Sequence, residues 1–382
     1  MTDRSAALAG LCALAIAMGI GRFAFTPILP MMQSEGLVSV VEGGWLASAN
    51  YAGYLAGALT AASIRFAPRL AIRTALVVVG ISTLGMGLAP DIASWLALRF
   101  IAGVTSAWVF VFSSAWCLER IQHARAHERA LLSATLFSGV GVGIAAAGIL
   151  CVGVLVAHAT ASMAWFLLGV VSLAGAGALW NAFAGTDARI AQERRPARLW
   201  SAESVRLVVC YGAFGFGYII PATFLAAMAR EAIGDPAVYG WSWPVFGAAA
   251  AVSTFAATRL RRGLSDRGTW ILGHLVMAAG VMVPIALAGV PGIVLSAILV
   301  GGTFMVVTMA GMQEARSVAG ENARALMAAM TSAFALGQIA GPLAVSVLAA
   351  RGGFVPCLIA AGLALVASAV ALVPRRVTRS SP

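Results

Sequence analysis

Long apolar stretches alternate with short polar ones along almost the whole chain. The first extends from Ala6 to Gly21 without a single charged residue. A helix of about 20 apolar residues is long enough to cross a bilayer. By this criterion the sequence predicts twelve membrane-spanning helices, at residues 6–32, 43–64, 70–89, 92–117, 130–156, 161–183, 205–229, 239–259, 269–288, 292–312, 323–349 and 353–373.

The most polar internal stretch, residues 185–204, divides these helices into six and six. We therefore predict an N-terminal six-helix bundle over 1–184, a cytoplasmic linker over 185–204 and a C-terminal six-helix bundle over 205–382. The halves also share a pattern, because Gly19 and Gly21 recur 196 positions later as Gly215 and Gly217. This repeat predicts a duplicated unit, with a solute site near the membrane midplane between the two copies.

Composition and charge agree with a membrane protein. Of the 382 residues, 61% are hydrophobic and 10% charged, and the mean hydropathy is +0.93. The net charge of +11 comes from arginine alone among the basic residues, and 21 of the 25 arginines fall on the side predicted for both termini. Basic residues accumulate on the cytoplasmic side of membrane proteins. We therefore predict cytoplasmic termini and a multi-pass protein of the bacterial inner membrane, with no role for the charge in nucleic-acid binding.

The first predicted helix contains a cation among residues that break helices. Arg22 lies roughly 24 Å along a core about 30 Å thick, where an arginine costs on the order of 3 kcal/mol. Glycines precede it and prolines follow it, and an equivalent proline occurs in the second half, so the predicted breaks lining a pathway are Gly19, Gly21, Pro27, Pro30 and Pro221. Irregular backbone at this depth is tolerated only inside protein or along a wet cavity. The pattern therefore predicts a solute pathway, although a structural arginine bound to backbone carbonyls is the alternative.

Other polar residues interrupt the predicted spans, and none of them is a carboxylate near mid-span. A buried cation needs a counter-charge, so we predict an anionic solute. The residues predicted to bind it are Arg22, Tyr218, Asn50, Arg99 and Gln338. Asn50 would equally suit interhelical hydrogen bonds, and Arg99 could instead reach Asp91 or Glu42 at the outer rim.

Small residues recur in predicted spans five and eleven, as Gly139 to Gly143 and Gly337 to Gly341. Such faces allow helices to approach closely. We predict that they are the contacts on which the two halves move. His274 is the one histidine inside a predicted span, and we interpret it as a packing residue rather than a proton relay.

The motifs of enzymes and metal proteins are missing from the sequence. The five cysteines lie in separate apolar runs without C-x-x-C spacing, which argues against zinc and disulfides. Gly19 to Ala24 imitates part of a dinucleotide fingerprint but follows no strand. We therefore predict no metal, no cofactor and no enzymatic activity.

The residues 19–30, which read GIGRFAFTPILP, resemble the first helix of the YbfB/YjiJ-like branch of the major facilitator superfamily. Arg99 and Gly103 resemble the R-x-x-x-G motif of its fourth helix. Residues 264–268 resemble its cytoplasmic loop motif, whereas the corresponding first-half loop at 65–69 lacks the aspartate. The resemblance covers essentially the whole chain. It implies a twelve-helix secondary transporter and no particular solute.

These observations together predict a secondary active transporter that moves a small organic anion by alternating access. Its expected partners are the solute, the lipid bilayer and protons as a coupling ion, and the expected state is a monomer. The alternatives are an exporter of amphiphilic or drug-like compounds, and a membrane receptor or scaffold that transports nothing.

Overall fold

The computed structural model describes residues 2–61, 67–89, 91–183, 201–260 and 263–373. These residues are almost entirely helical. The first half contains α1 (Asp3–Leu14), a π-helical turn (Ala15–Ile20), α2 (Phe25–Ser34), α3 (Val40–Ala61), α4 (Pro68–Met86), α5 (Ile92–Arg120), α6 (Ala126–Val156) and α7 (Ala161–Ala178). The second half contains α8 (Ala202–Ile233), the short α9 (Pro236–Tyr239), α10 (Ser242–Leu260), α11 (Asp266–Ala286), α12 (Val290–Ala319), α13 (Ala323–Gly352) and α14 (Val355–Leu372).

Within the described residues, ten helical segments are long and apolar enough to cross a membrane. They are the joined α1–α2 segment, α4 to α8, and α11 to α14. The all-helical membrane class is thereby confirmed. The count of twelve spans stays a prediction, because α3 and α10, with 22 and 19 residues, do not meet the same criterion. The predicted linker lies mostly outside the described residues.

Several helices begin at a side chain that accepts a hydrogen bond from the first turn. The hydroxyl of Ser201 accepts from the backbone N–H of Ser204 at 3.0 Å, and that of Ser265 accepts from Gly268 at 3.0 Å. Such caps satisfy N–H groups that have no partner inside the helix. Polar residues just outside each apolar run therefore determine where α8 and α11 begin.

The glycines of α6 lie on two different faces of the helix. A Cβ atom on Gly139 or Gly143 would collide with the backbone of Leu11 or Ala15, which belong to the same half. Only Gly141 faces the other half, where α10 approaches it closely. Residues two apart on a helix point about 200° apart, so a G-x-G-x-G run presents glycine to both sides. The prediction that this whole run contacts the other half was therefore wrong for Gly139 and Gly143.

The glycines of α13 show the same difference. Gly337 contacts Gly212 and Phe216 of α8, and Gly341 contacts Ile219 of α8. These contacts lie within the second half, so the predicted movement surface was wrong here too. The residues of this segment that contact the other half are the ones between and after these glycines: Gln338, which binds Arg22, Ile339, whose carbonyl accepts from Ser48, and Pro342, whose carbonyl lies against Gly44 of α3.

One group of contacts between the two halves lies toward the end of the bundle where α2 ends and α3 begins, opposite the N-terminus. We call the contacts there the far-end seal. It consists of four hydrogen bonds from side chains to backbone carbonyls of the other half: Thr26 to Ala222 (2.7 Å), Ser48 to Ile339 (3.2 Å), Ser346 to Val41 (3.1 Å) and Arg230 to Pro30 (2.7 Å). None of the four acceptors is a titratable group.

Candidate functional site

The first helix is interrupted between α1 and α2. The N–H of Gly21 donates to the carbonyl of Ile16 at 3.0 Å, and that of Phe23 donates to Met18 at 3.1 Å. These bonds span five residues instead of four, which is the pattern of a π-helical turn and is common at functional sites. The wide turn delivers Arg22 to the interior of the bundle. The interruption lies beside Gly19 and Gly21, where the sequence suggested one, and its lining of a solute pathway stays a prediction.

The prolines do not break their helices. Pro30 lies inside α2, and Pro221 lies inside α8, which is continuous from Ala202 to Ile233. The predicted breaks at Pro30 and Pro221 were therefore wrong, whereas Pro27 lies in the first turn of α2, directly after the interruption. Each proline removes one N–H, and in a tightly packed bundle neighbouring helices compensate for so small a loss.

Arg99 of α5 binds backbone carbonyls of the interrupted turn. Its guanidinium donates to the carbonyls of Gly21 (3.4 Å), Arg22 (3.2 Å) and Leu46 (3.5 Å). The side chain is 1% exposed and lies over the ring of Phe25, 4.8 Å from its centroid. These carbonyls include two from the irregular turn, so Arg99 compensates for backbone hydrogen bonds that the turn lacks.

Asn50 has the same role from α3. Its amide donates to the carbonyl of Arg99 at 2.9 Å and to that of Gly21 at 3.4 Å, which are the interhelical hydrogen bonds considered from the sequence. The predicted pairing of Arg99 with Asp91 or Glu42 was wrong. Asp91 accepts from the backbone of Ser94 at 2.8 Å, and this bond holds the pKa of the Asp91 carboxyl below its usual range. Glu42 accepts from the backbone of Ser39 at 2.7 Å.

Arg22 projects between the two halves. Its Nη2 donates to Oε1 of Gln338 in α13, and its guanidinium carbon lies 4.0 Å from the centroid of the Tyr54 ring. The rings of Tyr51 and Phe23 follow at 5.1 Å each. Arg22 is 2% exposed, and no described carboxylate forms an ion pair with it. The cation is therefore surrounded by aromatic faces and one neutral amide.

One edge of the Arg22 guanidinium is only half used. Nε and Nη2 lie on the same edge of the planar group and can bind the two oxygens of a carboxylate together. In the described structure Nη2 binds Gln338, whereas Nε has no hydrogen-bond partner although it is buried. A buried donor without a partner is costly, which makes this edge a candidate binding position for an anion.

The network continues into the second half. The amide of Gln338 donates to the hydroxyl of Tyr218 at 2.5 Å. The Tyr218 ring stacks between Phe304 and Phe334, at centroid distances of 5.3 and 5.5 Å and interplanar angles of 4° and 9°. The structure thus brings together Arg22, Gln338 and Tyr218, whereas Arg99 and Asn50 lie behind them and hold the backbone.

Sequence reasoning missed most of the aromatic surroundings. Tyr51 and Tyr54 lie three residues apart on α3, so their spacing alone places them on one helix face. The hydroxyl of Tyr51 shares a 2.9 Å hydrogen bond with Thr223 of the other half. Nothing in the apolar runs distinguishes Phe304 and Phe334 from ordinary core residues.

Some positions that the predicted duplication makes equivalent lie close together. Arg22 and Tyr218 differ by 196 positions, and Gln338 bridges them directly. Thr26 and Ala222 differ by the same number and form a hydrogen bond. Equivalent residues of two copies can touch only near the axis that relates the copies. These contacts agree with the predicted duplication, whose axis would then pass close to the candidate site.

His274 lies elsewhere, inside the second half. Its Nε2 accepts from the indole N–H of Trp270 at 2.9 Å, and its ring packs 5.8 Å from that of Phe214. The residue is fully buried among aromatic neighbours. This environment suits the packing role that the sequence suggests.

The known proteins that this chain resembles are membrane transporters. A family model described as "Uncharacterised MFS-type transporter YbfB" matches residues 14–373. The chain is 35% identical over 96 residues to the uncharacterised MFS-type transporter YceJ of Bacillus subtilis (strain 168), a match that spans 24% of each protein. It is similar in structure to a D-xylose–proton symporter, with a TM-score of 0.70 over 97% of this chain and 96% of that one. The sequence identity to the symporter is 14%, so this likeness concerns the fold alone.

Proposed function

Because the chain belongs to the YbfB-like family of major facilitator transporters, we propose that it moves a small organic anion across the bacterial inner membrane by alternating access. The family makes the protein a multi-pass secondary transporter. The charge of the solute is our inference from Arg22. The observation that carries it is the half-used edge of this buried guanidinium, at the boundary between the halves.

An anion would bind this edge better than Gln338 does. Hydrogen bonds between a guanidinium and a carboxylate are roughly twice as strong as those between neutral groups. A carboxylate could use both Nε and Nη2, whereas the amide oxygen occupies Nη2 alone. Binding would release Gln338 from Arg22, which is a contact between the halves. The solute would thereby be coupled to the movement that alternating access needs.

The arrangement in the membrane is part of the proposal. We propose that α3 and α10 also span the bilayer, which gives twelve spans in a monomer. The arginine distribution then places both termini in the cytoplasm and the far-end seal at the periplasmic side. The described conformation would accordingly be closed toward the periplasm.

A ligand screen on the purified protein tests the function. Carboxylates, neutral analogues and organic cations are compared by the shift of the thermal unfolding midpoint, and the hits are then tested for uptake into proteoliposomes. We expect stabilisation by carboxylates alone, because a site with one unpaired cation binds opposite charge. Equal stabilisation by lipophilic cations would contradict the proposal. It would support an exporter of amphiphilic compounds, which the aromatic surroundings of Arg22 favour as the second candidate.

Replacing Gly44 with valine should block closure of the far-end seal. A Cβ atom at this position would lie 2.8 Å from the carbonyl oxygen of Pro342, so a larger side chain would keep the halves apart. Overpacking of about 1–3 kcal/mol predicts a transport rate lower by about 5- to 150-fold. The matched control is Gly153→Val in α6, where a Cβ atom would meet nothing within 4 Å. Normal uptake by Gly44→Val would show that this contact is not needed in the cycle.

Proton coupling can be tested at the remaining titratable groups. Glu42 accepts hydrogen bonds from both the backbone and the hydroxyl of Ser39, and Glu314 is paired with Arg267 at 2.7 Å. Because both carboxylates already have structural partners, neither is needed as a proton carrier. We therefore expect Glu42→Gln to retain the dependence of uptake on pH. His274→Ala serves as the parallel variant. Loss of the dependence in either would assign the coupling proton to that residue, and wild-type uptake indifferent to pH would indicate uniport or exchange.

A further inference from the structure

We infer that the solute is an aromatic monocarboxylate, a flat ring that carries a single carboxylate group. This inference deepens the proposed function and depends on it, because the carboxylate must bind Arg22. The additional observations are the aromatic surfaces around that cation and the small number of free polar groups beside it.

Aromatic rings form most of the surroundings of the Arg22–Gln338 contact. Tyr54, Tyr51 and Phe23 surround the guanidinium within 5.1 Å. Phe23 in turn contacts Trp243 and Phe304, with centroid distances of 6.3 and 6.4 Å. A ligand bound to the guanidinium would therefore place the rest of its body against rings.

These rings have a common orientation on the second-half side. Phe304, Tyr218 and Phe334 form a nearly parallel stack, with successive interplanar angles of 4° and 9°. The Tyr218 hydroxyl is held by Gln338, the same residue that an anion would displace from Arg22. Parallel offset stacking is a preferred geometry for aromatic pairs. A flat ring attached to the carboxylate could join this stack, whereas a puckered aliphatic ring could not.

The polar groups argue against two other classes of anion. The hydroxyl of Tyr51 pairs with Thr223, and the amide NH2 of Asn50 donates to backbone carbonyls, which leaves Oδ1 of Asn50 as the one atom of these two side chains without a partner, too few for the several hydroxyls of a sugar acid. Arg99 donates to three carbonyls and offers no second cation for a dicarboxylate. Polar ligand groups buried without partners weaken binding strongly.

Four matched probes on the purified full-length protein test this inference: benzoate, cyclohexanecarboxylate, benzamide and phthalate. Dissociation constants are measured by calorimetry. We expect benzoate to bind about 3- to 10-fold more tightly than cyclohexanecarboxylate, because stacking adds to area burial. Benzamide, which has no charge, and phthalate, which carries a second one, should each bind at least about tenfold more weakly than benzoate.

A variant of Phe334 tests whether the aromatic stack causes the preference for benzoate over cyclohexanecarboxylate. Phe334→Leu should reduce the ratio of affinities for benzoate and cyclohexanecarboxylate to about one, because one face of the stack is lost. Phe166→Leu is the control, since Phe166 is 42% exposed on α7. Because the readout is a ratio, a moderate loss of stability in the variant does not imitate the result. Phe304→Leu repeats the test on the other face of Tyr218.

The outcomes separate the two proposals. Equal binding of benzoate and cyclohexanecarboxylate, both dependent on Arg22, would overturn the aromatic preference and leave the anion transporter intact. Tighter binding of phthalate than of benzoate would likewise overturn the monocarboxylate and keep the anion. Binding of benzamide as tight as that of benzoate, or no Arg22-dependent binding of any acid, would overturn both.

Discussion

Arg22→Gln should abolish stabilisation by carboxylates and reduce their uptake by at least about thirtyfold, because truncating a charge in a buried pair costs about 2–5 kcal/mol. Glutamine is the appropriate substitute because it is long and polar but uncharged. The amide can still approach Gln338, so the contact between the halves need not be lost. The variant therefore removes the charge while it disturbs the far-end seal little.

Two further variants make the result specific. Arg22→Lys keeps the charge but replaces a planar fork by a point charge, so we expect partial uptake and weaker binding. Arg4→Gln removes an arginine from an exposed position near the N-terminus and should leave uptake unchanged. Uptake at the wild-type rate by Arg22→Gln, with normal amounts of protein in the membrane, would contradict the anion site. Arg22 would then be a structural residue, which is the alternative that the sequence left open.

The position of the break in the first helix could be predicted from the sequence because it depends on local properties, whereas the role of Arg22 in binding a solute stays a prediction. A cation inside an apolar run is expensive whatever surrounds it, and glycines beside it permit close approach. The family resemblance, based on the same residues, was confirmed over nearly the whole chain. The all-helical membrane class followed from the length and hydropathy of the runs alone.

The roles of Arg99 and Asn50 could not be read from the sequence. Both are polar residues in apolar helices, and a ligand or a backbone carbonyl would satisfy either equally well. Both side chains bind backbone carbonyls because the π-helical turn brings the carbonyls of Gly21 and Arg22 toward α5. A turn of this kind depends on how three helices pack, and no local pattern of residues specifies it.

The helix faces were misjudged for a related reason. Small residues in α6 and α13 correctly indicated close packing, but spacing does not say which neighbour approaches. In both cases glycines face the first helix of their own half, α1 for Gly139 and α8 for Gly337. The two halves thus make the same internal contact, as duplicated units should. Among these marked glycines Gly141 faces the other half, and further contacts between the halves fall on residues that the pattern did not mark, such as Gly44 and Ser48.

The second large effect is expected from Arg99→Met, and it is a loss of stability rather than of recognition. Methionine has a similar length and is apolar, but it cannot donate to the carbonyls of Gly21, Arg22 and Leu46. A buried carbonyl without a donor costs about 1–3 kcal/mol. A total near 3 kcal/mol would lower the thermal unfolding midpoint by about 4 °C in a protein of this size.

Comparing the thermal unfolding midpoints of Arg22→Met and Arg99→Met distinguishes a structural arginine from a solute-binding one. Arg22→Met loses one hydrogen bond to a neutral amide, so its midpoint should fall by far less than that of Arg99→Met. Arg99→Lys should also be destabilised, since a single ammonium group cannot reach three carbonyls in the geometry of a guanidinium. If Arg99→Met instead kept its midpoint and lost carboxylate binding, Arg99 would belong to the solute site. The break in the first helix would then need another source of support, and Asn50, which donates to the carbonyl of Gly21, is the residue in position to supply it.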